Sequence, residues 1–420
     1  MDKLIIKGGR KLKGEVAISG SKNALLPILA ATLLTDEPCC IKGAPSLRDT
    51  FTMIKILRSL GKSIDFKDGK VFVKSTRRVS TVADYKFVST MRASFCVLGP
   101  LLAKFRKAKV SLPGGCVIGL RPVDLHLKGI KALGADIDIE NGYVLASAKR
   151  LRGAHIYLGG PFGSSVLATA NAMMAATYAQ GITKIESAAC EPEIIDLAEF
   201  LVKMGAKIKG FGTPLIEIQG VKHLHGAEYK IIPDRIEAGT FMIAALITQG
   251  EIKLTNVAWQ HLVAVLDKLE ESGVDIKRKD GVIQVSFTKQ LKPISVTTLP
   301  YPGFATDMQA QMMSLMSLVP GISIITEKVY PDRFMHIAEL NRMGAQIHRQ
   351  GPHAIIEGVK RLCGAKVMAS DLRASACLVL AGLAAQGETS VSRIYHLERG
   401  YEDLDVKLRS LGANIWRQKE

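Results

Sequence analysis

A short motif with glycine as its second residue recurs six times in this chain, at intervals of about 70 residues. Each copy follows an amphipathic helical pattern and leads into apolar residues with strand character. Glycine at that point supplies the left-handed conformation that ends a helix. The pattern predicts a helix, a glycine stop and a strand, used six times: Leu60-Gly61-Lys62-Ser63-Ile64, Leu133-Gly134-Ala135-Asp136-Ile137, Met204-Gly205-Ala206-Lys207-Ile208, Ser272-Gly273-Val274-Asp275-Ile276, Met343-Gly344-Ala345-Gln346-Ile347 and Leu411-Gly412-Ala413-Asn414-Ile415.

A second, more apolar helical pattern precedes each motif and leads into a strand of its own, as at Met173 to Gly181 and Phe241 to Gly250. The repeat is therefore predicted to run helix, strand, helix, strand. The first helix is apolar on nearly all sides and should be central, whereas the second should face water. Six such copies in 420 residues predict an α/β protein of two domains, three repeats in each.

Composition excludes several classes of protein. The net charge of +17 attracts polyanions, but the basic residues are dispersed with few aromatic neighbours, which argues against nucleic acid. The longest apolar runs, 24–34 and 374–385, are about half of a membrane span, so no membrane insertion is predicted. The N-terminus lacks the apolar core of a signal peptide, which predicts a cytoplasmic location.

Seven cysteines form no C-x-x-C pair and no zinc-like spacing, so neither a disulfide nor a metal site is predicted. A phosphorylated small molecule remains a candidate partner for the positive charge. Three basic residues favour it, because Lys22, Arg92 and Arg373 lie at predicted helix starts, where a cation opposes the helix dipole. A bound anion would offset that cost.

The segment from Ser111 to Arg121 is a candidate functional loop, since it combines Pro113 with glycines at 114, 115 and 119. Its thiol, Cys116, lies near Arg121 and is a candidate acid or nucleophile. The alternative is that Cys116 is a small apolar residue in a turn. Another glycine-rich segment, Gly159 to Ser165, lacks the lysine of a nucleotide P-loop and is predicted to be a flexible loop.

Many motifs in order resemble the UDP-N-acetylglucosamine 1-carboxyvinyltransferase family of enolpyruvyl transferases, over essentially the whole chain. The matching segments are Ser21-Lys22-Asn23-Ala24, Met91-Arg92-Ala93-Ser94, Pro113-Gly114-Gly115-Cys116, Arg121-Pro122-Val123-Asp124-Leu125-His126, Pro233 to Thr240, Thr306 to Gln311, Arg333-Phe334-Met335-His336, Asp371 to Ser375 and Glu398 to Glu402.

The resemblance implies an inside-out α/β barrel, with two domains of threefold pseudosymmetry that close over substrate. The domains would be residues 22–232 and residues 1–21 plus 233–420. The implied reaction transfers enolpyruvate from phosphoenolpyruvate to the 3′-hydroxyl of UDP-N-acetylglucosamine and releases phosphate, in the first committed step of peptidoglycan synthesis. It needs no metal or other cofactor, and no protein partner is implied.

By the same resemblance, Cys116 matches the general acid and Asp307 the base, while Lys22, Arg121 and Arg399 match the cationic clamp on phosphate and carboxylate. The remaining matched residues would contact substrate: Asn23 and Arg92 as orienting residues; Arg121, Pro122, Val123, Asp124 and Leu125 at the uridine; Ser165 and Val166 at the diphosphate; Val329; and Arg373. Arg373 and Asp371 correspond to a charged pair near the cleft, and the alternative is a purely structural ion pair.

One region departs from the family pattern. Where the family often has Ser-Val-Gly-Ala-Thr-Glu-Asn, this chain has Ser165-Val-Leu-Ala-Thr-Ala-Asn171, after an apparent insertion at 159–164. Leu167 cannot adopt a positive φ as cheaply as glycine, so a different local backbone is expected. Two alternatives to the family function stay open: the shikimate-pathway enolpyruvyl transferase, which lacks the Cys116 loop, and an inactive sugar-nucleotide sensor.

Overall fold

The computed structural model describes residues 2–76, 79–114 and 123–419, so Cys116, Arg121 and Pro122 lie outside the described residues. The described residues form two compact units. One unit runs from Gly20 to Ile232, and the other joins the residues up to Ser19 to those from Pro233 onward.

Thirteen α-helices lie within the described residues, and five short 3₁₀ helices accompany them. The α-helices are α1 Lys22–Ala31, α2 Arg48–Ser59, α3 Tyr85–Val88, α4 Leu98–Phe105, α5 Asp124–Ala132, α6 Val166–Ala176, α7 Pro192–Lys203, α8 Arg235–Ile247, α9 Val263–Glu271, α10 Gln309–Met316, α11 His336–Arg342, α12 Leu372–Ala384 and α13 Leu404–Ser410. The 3₁₀ helices are Thr32–Leu34, Arg92–Val97, Trp259–Leu262, Thr306–Met308 and Ile394–Arg399.

Six four-stranded sheets in the described residues share one topology: the first strand is parallel to the second, and the third and fourth follow antiparallel. In the unit of residues 20–232 the sheets are Glu228–Lys230, Cys39–Lys42, Lys70–Ser75, Lys62–Lys67; Val82–Ala83, Lys107–Ser111, Tyr143–Ser147, Asp136–Glu140; and His155–Tyr157, Ile182–Glu186, Leu215–Gln219, Lys207–Lys209. In the other unit they are Lys13–Ala17, Glu251–Val257, Gly281–Ser286, Asp275–Lys279; Ser295–Thr298, Ile322–Glu327, His353–Glu357, Gln346–Gln350; and Lys366–Met368, Glu388–Ser392, Asp2–Lys7, Asn414–Lys419. A two-stranded hairpin, Gly159–Gly160 with Gly163–Ser164, is added to these.

The six repeated glycines lie two residues beyond the ends of α2, α5, α7, α9, α11 and α13. Their φ angles fall between +90° and +103°, a region that residues with a Cβ rarely occupy. Each helix therefore stops at its glycine and the chain turns into the fourth strand of a sheet.

The apolar helices form the centre of each unit. Helices α8, α10 and α12 contact one another, as do α4 with α6 and α1 with α6, and nearly all residues of α6, α8, α10 and α12 are buried. The second repeat differs at its helix start, because Arg92–Val97 is a 3₁₀ helix and α4 begins only at Leu98. Pro100 then lies in the first turn of α4, where its missing N–H is tolerated. No helix of the described residues is long and apolar enough to cross a membrane.

Candidate active site

Asp307 lies in the 3₁₀ helix that precedes α10, and two arginines hold its carboxylate. Arg333 Nη1 donates to Oδ1 at 2.8 Å, and Arg373 Nη2 donates to Oδ2 at 2.9 Å. The arginine side chains are 7% and 2% exposed, whereas that of Asp307 is 28% exposed. The cations are therefore buried behind the carboxylate, which keeps a face toward solvent.

Charge sets the protonation state of this group. Burial acts to raise the pKa of Asp307, but the positive charges of Arg373 and Arg333, with their hydrogen bonds, outweigh it and hold the pKa well below its usual value. The carboxylate is thus ionised at neutral pH and available as a hydrogen-bond and proton acceptor.

Arg373 extends from the second residue of α12 and is almost completely buried. Its guanidinium lies 5.3 Å from the ring centre of Tyr401. Its Nε and Nη1 atoms have no hydrogen-bond partner among the residues that the structure describes. Buried donors of this kind are rare in folded proteins and suggest a site that an anion completes.

The predicted pair of Arg373 with Asp371 is wrong. The Asp371 carboxylate is the N-cap of α12 and accepts from the backbone N–H groups of Arg373 and Ala374, at 2.8 and 3.2 Å. A carboxylate at the start of a helix satisfies orphan N–H groups, so the Arg373 side chain pairs instead with Asp307 from another repeat.

The start of α1 carries a second charged pair. The Ser21 hydroxyl caps the helix by accepting from the Ala24 N–H at 3.3 Å, and Lys22 and Asn23 follow as its first two residues, both half-buried. Lys22 Nζ lies 3.4 Å from Asp49 Oδ2, with side chains 12% and 4% exposed. Here the carboxylate is the more buried partner.

Arg92 is the first residue of its 3₁₀ helix and is half-buried. Burial, with a smaller effect from Arg92, lowers the pKa of His126 to about 3. That imidazole is neutral and lies 2.9 Å from the Asn171 side chain, packed edge-on against Phe95. His126 is therefore a packing residue and not an acid–base group near pH 7.

The predicted uridine and diphosphate residues lie at two further helix starts. Val123, Asp124 and Leu125 form the cap and first two residues of α5. Ser165 caps α6, where its hydroxyl accepts from Ala168 at 3.4 Å, and Val166 begins that helix.

The segment before α6 is a tight hairpin, so the prediction of a flexible loop is wrong. Pairing of Gly159 with Ser164 and of Gly160 with Gly163 fixes its backbone. Leu167 is the second residue of α6, and no left-handed conformation is required of it.

Val329 and Arg399, two further predicted residues, lie on other segments of the same unit. Val329 lies in a turn after a strand and donates its N–H to Glu327, and Arg399, half-buried, ends a 3₁₀ helix. Cys116, Arg121 and Pro122 lie outside the described residues. Among the residues that are described, no group of three or more His, Cys, Asp or Glu side chains could hold a metal ion.

Three residues with charged side chains near these groups were not predicted to have a role: Arg333, Asp49 and Glu327. Arg333 stands in a segment that carries the resemblance, which is a signal for it. Asp49 resembles an ordinary acidic residue of a helix's first turn. Glu327 is the last residue of its strand, and the reason for a buried carboxylate there is visible only once its donors are known.

Comparisons with known proteins identify the family of this chain. Residues 6–408 match the family model described as EPSP synthase (3-phosphoshikimate 1-carboxyvinyltransferase). The UDP-N-acetylglucosamine 1-carboxyvinyltransferases of Geotalea uraniireducens and Methylacidiphilum infernorum are each 54% identical, over 100% and 99% of both chains.

Solved structures agree with the fold. The enolpyruvyl transferase NikO from Streptomyces tendae has a TM-score of 0.90 at 25% identity, covering 100% of this chain and 99% of that one. An EPSP synthase from Acinetobacter baumannii has a TM-score of 0.77 at 19% identity over both full chains, which shows the fold alone. With identity above half from end to end, the chain belongs to the UDP-N-acetylglucosamine 1-carboxyvinyltransferases of the EPSP synthase family.

Proposed function

We propose that this chain transfers the enolpyruvyl group of phosphoenolpyruvate to the 3′-hydroxyl of UDP-N-acetylglucosamine and releases phosphate, the first committed step of peptidoglycan synthesis. The observation that carries the proposal is the ionised, partly exposed Asp307 carboxylate between Arg333 and Arg373. It occurs in a chain whose full-length relatives bear the name of that activity.

Asp307 is the base that accepts the proton of the sugar hydroxyl. Its two guanidinium partners keep it ionised, but they also make it a weak base. A substrate anion that engages the open Nε and Nη1 donors of Arg373 would weaken the hold on the carboxylate and raise its basicity. Substrate binding and base strength are thereby coupled at one arginine.

On the donor side, the sugar oxygen forms a bond to C2 of phosphoenolpyruvate while C3 gains a proton, giving a tetrahedral intermediate. The C2–O bond to phosphate then breaks, C3 loses a proton, and the double bond is restored. Cys116 supplies the proton to C3. Lys22, Arg121 and Arg399 neutralise phosphate and carboxylate through both steps, and Lys22 has a helix start behind it that also favours anions.

The remaining contacts follow the resemblance. Asn23 and Arg92 orient the substrates, Arg121, Pro122, Val123, Asp124 and Leu125 line the uridine pocket, and Ser165, Val166 and Val329 complete the site. Support comes from helix starts, since Asn23, Val123 and Ser165 each lie where backbone N–H groups are unpaired by the helix.

The six sheets of one topology support an inside-out α/β barrel of six repeats, with domains at 22–232 and at 1–21 plus 233–420. The reaction uses two small molecules from metabolism and no cofactor, and we expect it in the cytoplasm.

The test is product formation by the full chain from phosphoenolpyruvate with each acceptor in turn. With UDP-N-acetylglucosamine we expect equimolar phosphate and a product whose mass and ¹H spectrum show an enolpyruvyl ether at the 3′-oxygen. Turnover with shikimate 3-phosphate alone would assign the other acceptor. Binding of the sugar nucleotide with no phosphate from either acceptor would indicate an inactive sensor and overturn the proposal.

A further inference from the structure

Glu327 is a fully buried carboxylate at the end of its strand, and four donors converge on it. Its Oε1 accepts from the Thr298 hydroxyl at 2.6 Å and from the N–H groups of Val329 and Tyr330 at 2.8 and 2.9 Å. Its Oε2 accepts from the Thr306 hydroxyl at 2.8 Å. One side chain thus ties the turn that carries Val329 to the 3₁₀ helix that carries Asp307.

Thr306 links this carboxylate to the candidate base. Its oxygen accepts from Arg333 Nη1 at 3.1 Å, while the same nitrogen donates to Asp307 Oδ1 at 2.8 Å. The two hydrogens of Nη1 therefore have two separate acceptors, which fixes the rotation of the guanidinium. Hydrogen bonds run in one direction, from Arg333 to Thr306 and from Thr306 to Glu327.

The donors on either side set that direction. A guanidinium can only donate, so the Thr306 oxygen accepts from Arg333 and its hydroxyl hydrogen is directed to Glu327 Oε2. A neutral amide at 327 could donate instead, and the hydroxyl would lose its fixed orientation. Four donors depend on this carboxylate, so an apolar residue here would also cost stability, and a test of its positioning role needs a variant of the same shape.

We propose that Glu327 is a positioning residue for the acceptor sugar. Through Thr306 it orients Arg333 and hence the Asp307 carboxylate, and through two backbone N–H groups it holds Val329 at a fixed distance from that carboxylate. This inference deepens the proposed function and rests on it, since the acceptor sugar is what Asp307 and Val329 would contact.

The sharpest variant is Glu327→Gln, which keeps the side-chain shape. The amide oxygen can replace Oε1 and keep the bonds from Val329 and Tyr330, which places the amide NH₂ against Thr306. The bond to Thr306 is then reversed while the turn is preserved. Thr306→Val removes the same link from its other end, and Thr306→Ser restores the hydroxyl.

We expect kcat with UDP-N-acetylglucosamine to fall about 10- to 100-fold in Glu327→Gln and in Thr306→Val, since sub-ångström misplacement of a base has effects of this size. KM for phosphoenolpyruvate should change less than about threefold, within ordinary variation between related complexes. Thr306→Ser should recover most of the lost kcat. Thr248→Val is the matched control: it removes a buried hydroxyl of the same unit whose partners among the described residues are two carbonyls of α8 and the Leu12 N–H.

A second readout needs no substrate. In ¹⁵N-arginine spectra, restricted rotation of the Arg333 guanidinium should give separate Nη signals in the wild type, and these should merge in Glu327→Gln and Thr306→Val. Merged signals in the variants would support the role of Glu327 in orienting Arg333 even if the wild type were inactive with the sugar nucleotide. Such inactivity would contradict only the proposed function. Unmerged signals, or kcat losses no larger than that of Thr248→Val at equal melting temperature, would overturn it.

Discussion

The starts of α1 and α12 each place a cation in the first turn of the helix and use it in opposite ways. At α12, Arg373 is 2% exposed and its partner Asp307 is 28% exposed. At α1, Lys22 is 12% exposed and its partner Asp49 is 4% exposed. In each pair the more buried charge is the support and the more exposed charge is the one that a ligand can reach.

The two pairs lie in different units of the chain, and each suits a different kind of chemistry. One unit presents an ionised carboxylate, which suits removal of a proton from a hydroxyl. The other presents an ammonium at a helix start, which suits a phosphate or carboxylate. In both pairs the partner comes from a different element, so a cation that opposes its own helix dipole is offset by tertiary structure.

The largest expected effect comes from Asp307, because both buried arginines depend on it. Asp307→Asn keeps the shape and removes the charge. We expect kcat to fall by about 10³-fold or more, with several kcal/mol added to the barrier, and a lower melting temperature because two cations lose their counter-charge. Steady-state phosphate release and calorimetry measure both quantities.

Asp275→Asn is the control for that variant, since Asp275 is an exposed carboxylate on an edge strand of the same unit. It should change neither quantity measurably. A wild-type kcat in Asp307→Asn would show that Asp307 is not the base and that its pair with Arg373 has no role in catalysis.

The next largest effect is expected at Cys116, which lies outside the described residues. The proposed reaction needs a proton donor in addition to the charged pairs of Asp307 and Lys22. Cys116→Ala should lower kcat by about 10²- to 10⁴-fold, the usual contribution of a general acid. Cys116→Asp should retain part of the activity and lose inhibition by fosfomycin, an epoxide that alkylates the thiol in this family. Full activity of Cys116→Ala would show that the proton comes from elsewhere.

A variant of Lys22 tests the charged pair at the start of α1. Lys22→Gln should lower kcat/KM for phosphoenolpyruvate by about 10²-fold through loss of a charge-assisted contact. It should also lower the free energy of unfolding by on the order of 2 kcal/mol, since the buried Asp49 carboxylate loses a cation.

The double variant Lys22→Gln with Asp49→Asn separates these two effects. Stability should return toward the wild type because the buried carboxylate is neutralised together with the ammonium, whereas kcat/KM should stay low. Recovery of both together would mean that Lys22 acts on the fold and not on the substrate.

A smaller effect concerns a third buried pair, in which Lys407 Nζ lies 2.6 Å from Glu237 Oε1. Burial, only partly offset by the charge of Lys407, raises the pKa of Glu237 to about 7 from 4.5. The folded state then binds more protons than the unfolded state between pH 4.5 and 7. The stability that comes from the protonated carboxyl is complete below pH 4.5 and is lost as pH rises through 7.

Glu237→Gln should therefore flatten the dependence of unfolding free energy on pH in that window, by on the order of 2 kcal/mol across it. Urea unfolding at several pH values measures it. Asp307, with two guanidinium partners and a lowered pKa, should show the opposite trend below pH 4. An unchanged slope in Glu237→Gln would contradict the assignment.

The predictable part of the fold was the part set by local chemistry. Helix ends at Gly61, Gly134 and their four counterparts follow from sequence because only the residue itself has to adopt the left-handed conformation. The long burial of α8 and α12 follows from their unbroken apolar composition.

The pairs of the candidate site were not predictable, because they join residues far apart in the chain. Arg373 finds Asp307 66 residues away, while its sequence neighbour Asp371 is used by the helix backbone. The role of Glu327 depends on donors from three segments. The helical backbone at Leu167, the second residue of α6, depends on where that helix starts, which the comparison of motifs did not specify.

The different roles of Asp307 and Lys22 are tested most directly by equilibrium binding of both substrates, singly and together, to Asp307→Asn and Lys22→Gln. Titration calorimetry measures this binding. The account predicts that Asp307→Asn binds both substrates within about threefold of the wild type although turnover is lost, which is the signature of a group needed in the transition state. Lys22→Gln should bind UDP-N-acetylglucosamine normally and phosphoenolpyruvate at least about tenfold more weakly. Loss of sugar-nucleotide binding in Lys22→Gln, with phosphoenolpyruvate binding intact, would contradict it.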